Sequence, residues 1–217
     1  MSVQAKICGI STSAALDAAL AGGARFIGLV FYAKSPRYVD LATAKRLADR
    51  ARGHAKIVAL VVDADDAALR EINDAVAPDM FQLHGKETPQ RVAEVAQLTG
   101  RPIIKAIPVE SEDDTVRAET YGTVAHLILF DAKPPTRPAA LPGGNGLVFA
   151  WRLIASVSDR VPYMLSGGLT PGNVAEAIRQ TATKMVDVSS GVESAPGVKD
   201  PDLIRRFLDA VKTAKQT

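Results

Sequence analysis

Eight short apolar segments recur along the chain at near-even intervals, and this rhythm restricts the fold more than any other feature. They cover residues 5–10, 26–31, 56–62, 80–84, 102–107, 125–130, 163–166 and 185–189. Successive starts are 21, 30, 24, 22, 23, 38 and 22 residues apart, so only the sixth interval is long. Segments this short and this apolar suit strands that are covered on both faces.

Helical patterns fill the intervals. Leu16, Ala19 and Leu20 precede a stop at Gly22-Gly23. Leu41, Ala44, Leu47, Ala48 and Ala51 form one stripe, and Leu69, Ile72 and Val76 another. Thr88-Pro89 reads as an N-cap and first-turn proline, with Gly100 as the stop. Residues 112–121 form a short acidic helix, and 147–157 carry Leu153, Ile154 and Val157. Thr170-Pro171 repeats the start signal of Thr88-Pro89. Asp200-Pro201 opens a last helix with Leu203, Ile204, Phe207, Leu208 and Val211 on one face. Eight strand–helix units predict an α/β chain forming a single (β/α)8 TIM barrel over residues 1–217. An open doubly wound sheet would leave strands unused.

Composition excludes several function classes. There are 26 basic and 24 acidic residues, a formal net charge of +2, so no basic footprint for nucleic acid exists. No apolar run reaches the roughly 18–20 residues of a membrane helix. Cys8 is the one cysteine, so no intrachain disulfide forms. Residues 1–5 show no leader pattern before the first strand, and a cytoplasmic protein is expected. Monomer and homodimer both remain open.

Two glycine-rich strand ends carry the first functional signal. Ser166-Gly167-Gly168-Leu169 follows the seventh segment, and Ser189-Ser190-Gly191-Val192-Glu193 follows the eighth. Glycine lets backbone approach a ligand closely and aim N–H groups at it. In a (β/α)8 barrel the loops after strands 7 and 8 form a phosphate site of this kind.

Other positions bear chemistry. Lys6 and Cys8 are two apart on the first strand and share a face, turned to the barrel interior if Ile7 meets the helices. A lysine there is costly unless it meets an anion. A lone cysteine is usually a small buried hydrophobe. Its place at a strand end beside a cation that favours thiolate argues instead for a proton acceptor. Asp131 ends an otherwise apolar strand at the catalytic rim. Aspartates open turns and cap helices; Lys133 and prolines follow, which weakens the cap reading, and a carboxyl group there can act as a general acid if partial burial raises its pKa.

Arg37 lies in the loop after the second strand, either a fork for a carboxylate or a solvated arginine. Gln82 and His84 share a face at the end of the fourth strand, where they line the pocket or bond locally. His54, His84 and His126 have no metal-ligand spacing, so no metal is expected. Residues 132–146, rich in Pro and Gly, follow the sixth strand as a lid or a plain surface loop.

Together these segments resemble the phosphoribosylanthranilate isomerase family. The resemblance rests on Lys-Ile-Cys-Gly-Ile at 6–10, Phe31 through Ser35-Pro36-Arg37, Gln82-Leu83-His84-Gly85 and Phe130-Asp131. It continues through Gly143-Gly144-x-Gly146 with Phe149 and Trp151, Leu165–Leu169 with Pro171 and Asn173-Val174, and Val186–Gly191 with Glu193, Pro196-Gly197 and Lys199-Asp200.

The resemblance implies an Amadori rearrangement of the phosphosugar N-(5-phosphoribosyl)anthranilate in tryptophan biosynthesis, without cofactor. It implies Cys8 as general base, Asp131 as general acid, Arg37 on the anthranilate carboxylate, and phosphate on the glycine turns. Lys6, Gln82, His84, Gly167, Gly168, Ser189, Ser190 and Gly191 complete the expected substrate site. Two positions depart from the family pattern: Asn145 stands for a usual Thr or Ser, and Ala150 for a common Asp. Rival readings are a sister Amadori isomerase, expected to use an aspartate where strand 1 has Cys8, an indole-forming synthase, and a non-catalytic phosphosugar-binding barrel.

Overall fold

Eight parallel strands close into a barrel in chain order, β8 pairing with β1. They are β1 (Gln4–Cys8), β2 (Phe26–Val30), β3 (Lys56–Val61), β4 (Met80–Leu83), β5 (Ile103–Val109), β6 (Leu127–Ala132), β7 (Tyr163–Leu165) and β8 (Met185–Val188). The computed structural model from which this is read describes residues 2–132, 151–156 and 161–214. Every apolar segment of the sequence holds one strand. β6 runs two residues further than its apolar stretch, because Asp131 and Ala132 pair with Pro108 and Val109 of β5.

Helices α1 (Ser13–Ala21), α2 (Leu41–Ala51), α3 (Asp66–Val76), α4 (Pro89–Thr99), α5 (Glu112–Ala118), α6 (Val174–Thr181) and α7 (Pro201–Thr213) lie between and after the strands. Their starts follow local chemistry. Thr88 caps α4 by accepting from the Arg91 N–H, and Gly100 ends it in the left-handed region. Asp200 caps α7 by accepting from the N–H groups of Asp202 and Leu203.

Two local readings need correction. Thr170-Pro171 does not start a helix; α6 begins at Val174, with Asn173 before it. The Asn173 side chain accepts from the Thr170 N–H at 2.8 Å and donates to the Gly168 carbonyl at 3.0 Å, so 170–173 close the glycine turn first. The described part of the 147–157 stretch, Trp151–Ser156, is a 3-10 turn rather than an α-helix. The turn after β8 leads to a 3-10 turn at Ser190–Val192 and a hairpin before α7, β9 (Glu193–Ala195) and β10 (Val198–Lys199). The glycine-rich stretch at 143–146, Asn145, Phe149 and Ala150 lie outside the described residues, as does all of the proposed 132–146 lid except Ala132.

The barrel interior is divided along its axis. Phe26, Val58, Met80, Ile104, Ala106, Leu127, Leu129 and Met164 form one interior apolar cluster, drawn mainly from the early and middle parts of their strands. The later positions are different: Cys8, Gln82, Asp131 and Asp187 lie there, all buried. Ile7 packs in the large cluster between strands and helices, as its alternation with Lys6 and Cys8 requires.

Candidate active site

The base-side geometry is built by register across the seam that closes the barrel. Lys6 of β1 is paired with Asp187 of β8 in the ladder. Its side chain is fully buried, and its ammonium donates to Asp187 Oδ1 at 2.9 Å. Ser166 Oγ, at the end of β7, donates to Asp187 Oδ2 at 3.2 Å. The interior lysine thus meets its anion within the protein. On the other side Cys8 is paired with Gly28 of β2. A Cβ on Gly28 would stand 2.9 Å from Cys8 Sγ and 3.2 Å from Lys6 Nζ. The missing side chain therefore makes the space in which thiol and ammonium sit.

Burial pushes the Cys8 thiol up from its ordinary value; Lys6 pulls it down, but the Asp187 charge opposes that pull. Lys6 favours the thiolate as expected, but burial, with Asp187 beside the cation, outweighs it. Lys6 itself keeps its proton more strongly than usual, since Asp187 and Cys8 outweigh the burial that works against its charge.

The acid-side geometry is a chain of three side chains. Asp131 is 6 % exposed, and its Oδ1 accepts from the Ala132 N–H at 2.9 Å. His84 Nε2 lies 3.3 Å from Asp131 Oδ2. Gln82 Nε2 lies 3.0 Å from His84 Nδ1, and Gln82 Oε1 is buried with no partner among the described residues. With Gln82 donating to Nδ1, a neutral His84 carries its hydrogen on Nε2 and donates to Asp131. Gln82 and His84 therefore bond to each other, and His84 also reaches the carboxyl group of β6.

The two glycine turns come together. A Cβ on Gly191 would overlap the Leu169 carbonyl, so the turn after β8 seats directly against the turn after β7. Gly167 has φ +86° and leaves room for the Ala132 backbone, which sets the β7 turn next to the residue after Asp131. Gly168, at φ +64°, continues the left-handed path. Among the described residues the N–H groups of Gly167 and Gly168 have no acceptor.

Arg37 is not a solvated arginine. It is 6 % exposed, and its Nε and Nη2 donate to Glu193 Oε1 and Oε2 at 2.7 and 2.9 Å. Lys199 Nζ donates to Glu193 Oε1 at 2.5 Å, to the Ser189 carbonyl at 2.9 Å and to Ser189 Oγ at 3.2 Å. Ser189 Oγ in turn donates to the Cys8 carbonyl at 3.2 Å. Burial works against the Glu193 charge, yet Arg37 and Lys199 hold its carboxyl below the usual range.

Five residues of the site were given no role from sequence. Asp187 had a usable signal: a buried lysine on β1 demands an anion, and β8 offers an inward aspartate one strand away. Ser166, Gly28 and the Glu193–Lys199 pair had none beyond membership in glycine-rich or family-like stretches. Among the described residues no group of three or more His, Cys, Asp or Glu is placed to hold a metal ion.

A thiol on β1, a carboxyl on β6 and paired turns after β7 and β8 suit acid–base chemistry on a phosphorylated small molecule. The N-(5'-phosphoribosyl)anthranilate isomerase family model matches residues 5–210. The chain belongs to that family. An N-(5'-phosphoribosyl)anthranilate isomerase of Rhodopseudomonas palustris strain BisA53 is 52% identical over 100% of this chain and 99% of its own. The crystal structure of the Thermotoga maritima phosphoribosyl anthranilate isomerase superposes with a TM-score of 0.87 at 35% identity, covering 97% of this chain and 98% of that one. A phosphoribosyl anthranilate isomerase solved with reduced 1-(o-carboxyphenylamino)-1-deoxyribulose 5-phosphate gives 0.84 at 34% identity, with the same coverage.

Proposed function

We propose that this family member isomerises N-(5'-phosphoribosyl)anthranilate to 1-(o-carboxyphenylamino)-1-deoxyribulose 5-phosphate in tryptophan biosynthesis. The observation that carries the reading is the placement of Cys8 on β1 and Asp131 on β6, inside one barrel mouth whose β7 and β8 turns abut. A relative crystallised with the reduced product supports the same phosphosugar ligand here. We take residues 1–217 as one barrel domain, acting in the cytoplasm as a monomer or homodimer.

The reaction needs an acid and a base on one bound sugar. Asp131 gives its proton to the furanose oxygen. The C1–O bond breaks as the nitrogen lone pair forms C1=N, leaving a cationic Schiff base. Cys8, as thiolate, removes the C2 proton, and the C2–H electrons flow to nitrogen through a new C1=C2 bond. The enolamine becomes the ketone as the proton on O2 is replaced by one on C1. The Schiff base is its own electron sink, so no metal or nicotinamide takes part.

His84, held by Gln82, donates to Asp131 and fixes its orientation. Gly167, Gly168, Ser190 and Gly191 receive the phosphate, with Ser189 shaping the turn. Arg37 faces the anthranilate carboxylate. Lys6 keeps a positive charge beside the thiolate. The thiol is hard to ionise in the free protein. The cation formed on ring opening is therefore what stabilises the thiolate when it is needed. That orders acid before base.

The test is the fall of anthranilate fluorescence with freshly made substrate, using wild type, Cys8→Ala and Asp131→Asn. Wild type should turn over, and each variant should lose at least the roughly 100-fold that general acid or base catalysis supplies. Absence of turnover by the folded wild-type protein would overturn the proposal.

A further inference from the structure

We infer that Glu193, carried on the β9–β10 hairpin, is a positioning residue that fixes the subsites for both charged ends of the substrate through one buried carboxylate. The inference rests on the proposed roles of Arg37 and of the turn after β8.

Both Glu193 oxygens are engaged twice. Oε1 accepts from Arg37 Nε at 2.7 Å and Lys199 Nζ at 2.5 Å; Oε2 accepts from Arg37 Nη2 at 2.9 Å and the Gly197 N–H at 3.3 Å. The three side chains are nearly inaccessible, at 7, 4 and 1 % for Arg37, Glu193 and Lys199. A bidentate fork fixes a guanidinium in plane and in rotation. The Arg37 stem is boxed as well, since a Cβ on Gly9 would stand 2.8 Å from its Cδ. Gly197 leaves room for the Pro36 carbonyl, so the hairpin lies directly against the loop that carries Arg37.

From the same carboxylate, Lys199 reaches the Ser189 carbonyl and hydroxyl, and that hydroxyl reaches the Cys8 carbonyl. One anion thus ties the carboxylate subsite, the phosphate turn and the strand that bears the base. Two cations on one anion leave a net positive charge, which suits an anionic ligand. Glu193 touches no reacting atom in this scheme and acts only through Arg37 and Lys199.

Position and charge make opposite forecasts for Glu193→Gln. If Glu193 only neutralises, its loss makes the site more positive and anions bind more tightly. If it positions, the fork is released and the turn loosens, so anions bind less tightly. The experiment measures KM and kcat by the fluorescence assay and competitive inhibition by inorganic phosphate. It compares wild type, Glu193→Gln, Glu193→Asp, Arg37→Met and the double variant Arg37→Met/Glu193→Gln, with folding checked by circular dichroism.

Glu193→Gln should raise KM at least tenfold with kcat within about threefold, and should weaken phosphate inhibition. Glu193→Asp keeps the charge but lacks the reach, so it should raise KM too; it also serves if the Gln variant does not fold. The double variant should exceed Arg37→Met in KM by a smaller factor than Glu193→Gln exceeds wild type, because only the link through Lys199 is left to lose. A lowered or unchanged KM in the folded Gln or Asp variant, or full additivity in the double variant, overturns the inference while leaving Arg37 as the carboxylate partner. An unchanged KM in Arg37→Met overturns that assignment instead, and the inference with it.

Discussion

Asp187→Asn should make Cys8 react faster with iodoacetamide, and Lys6→Met should make it react more slowly. The magnitudes follow from the geometry. Sγ and Lys6 Nζ lie 2.9 and 3.2 Å from the empty Gly28 Cβ position, so they are at most about 6 Å apart. Asp187 Oδ1 is 2.9 Å beyond Nζ, hence at most about 9 Å from Sγ. At an effective dielectric of about 20, unit charges at these limiting separations interact by at least roughly 2.8 and 1.8 kcal/mol, and these lower limits set the factors below. A factor of ten costs about 1.4 kcal/mol, so removing the aspartate charge should speed alkylation at pH 7.5 about 20-fold. Removing the ammonium should slow it about 100-fold. The Asn carbonyl can still accept from Lys6, so the cation keeps its place in the first variant. Cys8 is the one cysteine, so mass spectrometry of the adduct reads the site without ambiguity. An Asp187→Asn rate at or below wild type, or a Lys6→Met rate equal to it, would refute the electrostatic account of the thiol.

Other consequences follow from the packing. Lys105 is buried on β5, donating to Glu87 Oε2 and the Gly85 carbonyl at 2.8 Å each and to the Leu83 carbonyl at 3.3 Å. Lys105→Met should therefore destabilise the protein by about 3–5 kcal/mol in urea unfolding, and Lys105→Met/Glu87→Leu should recover much of that; a loss under 1 kcal/mol would contradict the pairing. Gly191→Ala should abolish detectable inhibition by inorganic phosphate, since its Cβ would overlap the Leu169 carbonyl and force the two turns apart; wild-type inhibition would place the phosphate elsewhere. Prolonged dialysis against a chelator should leave turnover intact, and activity restored only by a divalent ion would refute the metal-free scheme.

The barrel was legible because its rule is local and repeated. Strand length, apolar content and the stop and start residues recur in unit after unit, and a misplaced boundary costs little. Thr88-Pro89 and Asp200-Pro201 begin helices because the Thr88 and Asp200 side chains accept from N–H groups of the first turn. Thr170-Pro171 has the same letters, yet Asn173 takes the Thr170 N–H to close the glycine turn. A start signal counts only when the capping side chain meets first-turn N–H groups, and here the local turn, which sequence does not display, sets that.

The site divides along the same line. Lys6 and Cys8 face inward by alternation alone, and Asp131 reaches the rim because its strand ends there. The thiol is shifted up because burial outweighs Lys6, two residues away in sequence, and because Asp187, 181 residues from Lys6, works against that cation. Barrel closure brings them together. A buried charge on a first strand is thus an incomplete statement until the last strand is read as its neighbour. The same holds for Arg37 and Glu193, 156 residues apart. In a closed barrel the two chain ends adjoin, so the ion pairs that tune a catalyst on β1 are supplied from the far end of the sequence. Reading β8 against β1 before assigning a pKa would have found Asp187; the Glu193 fork needed the hairpin, whose antiparallel turn carries no repeat to betray it.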